Sequence, residues 1–76
     1  MNFKLFNAAK IKYLAQAEEA RAMLDMLFTK TVMVGEHTDI LKEIDKWTKI
    51  LAEALDGVDA LDDFATQRKE EGSTAP

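Results

Sequence analysis

The sequence predicts an all-α fold, an antiparallel two-helix hairpin. Three observations predict it. The 76 residues contain only three Gly and one Pro, and the proline is the last residue, so few positions can break a helix. Ala, Leu, Lys, Glu and Met, the better helix formers, are abundant. The apolar residues recur at three- and four-residue spacing, whereas an all-β chain of this length needs a turn signal about every 8–12 residues.

The first helix is predicted at about 3–33. Asn2 offers a side-chain oxygen as N-cap, and no breaker follows before Gly35. At ~100° per residue, Phe3, Phe6, Tyr13, Leu14, Ala17, Ala20, Leu24, Leu27 and Phe28 fall within one arc. Gly35 stands where a helix ends in the left-handed region, and Glu36, His37 and Thr38 form a polar turn. Thr38 or Asp39 is placed to cap a second helix at about 39–69. Its stripe is Ile40, Leu41, Ile44, Trp47, Leu51, Ala54, Leu55 and Val58. Asp45 and Lys49 on its back have the favourable acid-first order.

At Gly57 the stripe rotates, to Val58, Leu61, Phe64 and Ala65. A glycine costs about 1 kcal/mol inside a helix, so a kink or a break is expected there. The kinked continuation is preferred over a short third helix at 58–69. One domain spans 1–71, and residues 72–76 read as a tail.

A short turn near 35–38 fixes which residues face each other. Ala17 meets Leu55, Ala20 meets Leu51 or Ala52, Leu24 meets Trp47, Phe28 meets Ile44, and Tyr13 meets Val58. The same register brings Lys10 to Asp62, each the one charge intruding on its helix's apolar stripe. Residues 1–17 hold three lysines and no acid, while residues 56–76 carry a net charge of −4. Folding the basic start onto the acidic end accounts for this layout.

Two helices cannot enclose a core alone. The arc on the first covers about half its circumference, wider than one neighbouring helix can bury. A chain of this size buries only ~60% of its unfolded surface, and with no Cys it has no disulfide to compensate. Coiled-coil-like completion by oligomerisation, or docking onto a larger protein, is therefore expected. Phe3, Phe6, Ile11, Met26, Met33 and Phe64 are the candidate interface residues. Ile11, Met26 and Met33 lie off the main arc.

Other chemistry is sparse. Absent Cys removes thiolate metal sites and cysteine catalysis, and the single His37 matches no ligand motif. Asp56, Asp59, Asp62 and Asp63 form an acidic cluster without the EF-hand pattern. Ser73 has no converging base, and no glycine-rich phosphate loop exists, so neither an enzyme nor a cofactor is expected. A net charge of −4 disfavours nucleic acid. No uncharged stretch exceeds five residues, far short of the ~20 a membrane span needs.

The function expected is that of a small, non-enzymatic structural or adaptor subunit. It would work by self-assembly or by docking onto a larger complex or particle, such as a virion, in the cytoplasm. An acidic regulator, binding a basic enzyme site through the aspartate cluster, is the alternative. Attachment to a membrane surface through the lysines and aromatics of residues 3–14 is the third reading.

Overall fold

The structure, a computed structural model, describes residues 2–30 and 37–74; the side chains of 30, 37, 38 and 69–74 are outside that description. Two helices make up the fold, α1 (Phe3–Lys30) and α2 (His37–Thr74). They run antiparallel along one another in a rod of 66 × 18 × 14 Å.

Asn2 starts α1. Its Oδ1 accepts from Leu5 N at 3.0 Å and its carbonyl from Phe6 N at 3.0 Å. The first bond satisfies an amide that a helix start leaves without an intrahelical partner, and the second is the first rung of the helix itself. The expected turn at Gly35, the end of the first helix at 33 and Met33 all lie outside the described residues.

The second helix departs from expectation at its two ends. It already includes His37, so Thr38 and Asp39 belong to its first turn rather than capping it. There the Asp39 carboxylate complements the positive end of the helix dipole. It passes through Gly57 as one helix, in keeping with the continuation preferred over a short third helix. It also reaches Thr74, which takes most of the expected tail at 72–76 into the helix. Gln67 to Glu71 is an unbroken run of good helix formers, and Gly72 weakens a helix without blocking it. The first residue chemically unable to continue is Pro76.

The reason α2 survives Gly57 is tertiary. A side-chain carbon at that position would lie 2.7 Å from two carbons of the Tyr13 ring and 2.8 Å from a third. The glycine is a socket for an aromatic knob on α1. Packing of the ring offsets the ~1 kcal/mol that glycine costs a helix.

Between the helices the fully buried residues are all small: Ala17 and Ala20 at 0% exposure and Ala54 at 1%. They set how closely the two backbones approach. Tyr13, Leu24, Trp47, Leu51 and Val58 are half-buried along the seam. No large side chain is fully enclosed among the described residues.

Candidate functional site

Lys10 Nζ lies 2.7 Å from Asp62 Oδ1 and bridges the helices on one side of the seam. Both groups are partly exposed, 34% and 50%. This pair is a landmark for the faces of the rod. Leu14 stands one turn after Lys10, and Phe28 about five full turns after it, so both point the same way. Phe3 comes about two turns before it. On α2, Leu55 precedes Asp62 by about two turns and Ile44 by about five. Leu41 and Ile11 border the same face.

That face is unusually apolar. Nine large apolar residues are exposed among those described, and six of them lie here: Phe3, Ile11, Leu14, Phe28, Leu41 and Leu55. Phe3 is 66% exposed and Ile11 63%. Two of its ion pairs flank the seam. Besides Lys10–Asp62, Arg21 Nη1 lies 2.7 Å from Glu18 Oε1.

The opposite side of the seam holds an open groove of about 280 Å³ near the start of α1. Asn2, Leu5, Phe6, Ala9, Leu61 and Phe64 line it. Phe6 is half-buried in it, and Phe64 is exposed at its edge. Of the residues expected at an interface, Phe3 and Ile11 thus lie on the bridge face. Phe6 and Phe64 lie on the groove side. Met26 is exposed on the back of α1, away from both. Sequence reasoning placed Leu14, Leu41 and Leu55 in the hairpin stripes and did not single out Leu5 as an interface residue. Their position at the flanks of each stripe was the available signal.

The acidic cluster is divided. Asp62 is engaged by Lys10, while Asp56, Asp59 and Asp63 face solvent. No group of three or more His, Cys, Asp or Glu among the described residues could hold a metal ion. Asp45 and Lys49 pair along α2 at 3.0 Å. Lys46 Nζ stands 5.1 Å from the centre of the Trp47 ring, within cation–π range. No described helix is long and apolar enough to cross a membrane.

No protein-family model, curated protein or solved structure matches this chain.

Proposed function

We propose that this chain is a non-enzymatic helical subunit whose work is association with other protein, by self-assembly or by docking onto a larger complex or particle. The observation that carries this reading is the mismatch between its core and its surface. Its fully enclosed residues are three alanines, whereas six large apolar side chains stand exposed on one face. A soluble protein rarely leaves so continuous an apolar face open to water unless a partner covers it. The cytoplasm, or a particle assembled there, is the setting proposed for it.

The area agrees. A compact monomer of 8.5 kDa exposes ~4,700 Å² by the scaling of surface with mass. This chain exposes 6020 Å². The regulator reading is the weaker one, because Asp62, central to the acidic cluster, is spent within the hairpin.

The test is sedimentation equilibrium with thermal unfolding over a hundredfold range of concentration. Association predicts a mass above that of one chain and a midpoint that rises with concentration. A single-chain mass with a concentration-independent midpoint refutes the reading. Asp56→Asn, at an exposed position outside the apolar face, leaves the mass unchanged under association, whereas the regulator reading draws binding energy from the exposed aspartates.

A further inference from the structure

We propose that the occupant of the bridge face is a second copy of this chain, lying in the same direction with turn beside turn, so that two hairpins form a four-helix bundle. This rests on the association reading and names its partner.

The first argument is area. Relative to a compact monomer the chain carries an excess of about 1,300 Å² of exposed surface. A standard interface takes ~800 Å² from each partner, and obligate dimers take more. A second copy covering one face of the rod matches that excess.

The second argument is self-complementarity. A two-fold axis along the rod lays α1 of one copy over α2 of the other at the same level, repeating across the interface the apposition that already exists within the hairpin. Lys10 then stands over Asp62 of the second copy, and Asp62 over its Lys10. The two bridges close into a ring of alternating charge. Size matches as well as charge. In the register set by Lys10 and Asp62, Leu55 stands level with Ala17 and Phe28 with Ile44. Phe28 therefore meets the half-buried Ile44 across the axis, and Leu14, level with Val58, meets a second half-buried aliphatic residue. Copies turned end to end would instead set α1 against α1. Lys10 would then approach the level of Arg21, a like charge, and the basic start would lose its acidic counterpart. Every neighbouring pair in the proposed bundle is antiparallel, as in up-down-up-down four-helix bundles.

The test exploits the absence of cysteine from the sequence. Asn7 and Thr66 are exposed polar residues on the bridge face, level with each other on opposite helices. Chains carrying Asn7→Cys are mixed with chains carrying Thr66→Cys under mild oxidation, and masses are measured alongside. The proposal expects a mass of about twice the 8.5 kDa of one chain and a heterodisulfide between the two variants. It also expects Leu14→Asp, an exposed position whose change leaves the hairpin seam intact, to lower that mass. A dimer that forms no heterodisulfide overturns the proposed arrangement and leaves association standing, because end-to-end copies hold the two positions ~25 Å apart. Stable pairing only with a protein of different sequence overturns the second copy in the same way. A cooperatively folded single chain overturns both.

Discussion

The ring of Tyr13 fills the space that any side chain at Gly57 would need, with ring carbons 2.7 Å from where a Cβ would stand. The two residues are a knob and its socket, 44 positions apart in the chain. They couple the middle of α1 to the one interior glycine of α2's apolar half.

Gly57→Ala sets two effects against each other. Helix propensity favours alanine by about 1 kcal/mol. The approach to the Tyr13 ring includes the atom nearest its own backbone, which cannot swing aside cheaply, and overpacking of this kind costs ~1–3 kcal/mol. Steric cost wins, so the variant melts lower than the parent. Adding Tyr13→Ala removes the clash, so Gly57→Ala made in that background stabilises. A double-mutant cycle in urea measures the reversal of sign, and additive effects would refute the socket.

Ala20→Leu tests the close approach of the helices. Ala17, Ala20 and Ala54 are the only fully buried residues among those described, and they lie sealed between the helices. A leucine at Ala20 forces the backbones apart, at ~1–3 kcal/mol, visible as a fall of several degrees in melting temperature. Ala22→Leu, at an exposed position on the same helix, leaves stability nearly unchanged.

The Lys10–Asp62 bridge contributes more to alignment than to stability. Both groups are partly exposed, so the pair is worth ~0.2–1 kcal/mol and is weakened by salt. Asp62→Lys places like charges together and destabilises, most at low ionic strength. Lys10→Asp combined with Asp62→Lys restores the loss. Unfolding curves at low and high salt distinguish this from a generic effect of net charge, which the double variant does not alter.

Asn2→Ala removes the side-chain acceptor for Leu5 N and costs about 0.5–2 kcal/mol. Asn2→Asp keeps the acceptor and adds a charge that the helix N-terminus favours. Amide hydrogen exchange in the first turn of α1 separates the two: faster in the alanine variant, unchanged or slower in the aspartate.

The fold class and the register were legible because they depend on local chemistry. Periodic apolar residues, sparse breakers and a capping Asn2 need no knowledge of the partner helix. The meeting of Lys10 with Asp62 follows from turn position alone once two equal helices are assumed. The continuation of α2 through Gly57 was legible, but its reason was not, because helix propensity is a local quantity, whereas the Tyr13 ring that occupies the socket comes from the other helix. The reach of α2 to Thr74 was missed for a related reason, since Gly72 marks a helix end only where stronger stop signals accompany it. The candidate face was half legible. Phe3 and Ile11 were singled out, but Leu14, Leu41 and Leu55 were assigned to the seam.

Sequence by itself determined that this chain is two long antiparallel helices with more apolar surface than one neighbour can bury. That follows from composition and period, which act residue by residue. Only the tertiary structure decided which apolar residues are enclosed. Three alanines and a glycine socket bring the backbones close, so the larger side chains splay to the flanks, and six of them come to share the face beside the Lys10–Asp62 bridge. Which side of a helix is left over depends on how tightly its partner sits, and that distance belongs to the pair of helices rather than to either one.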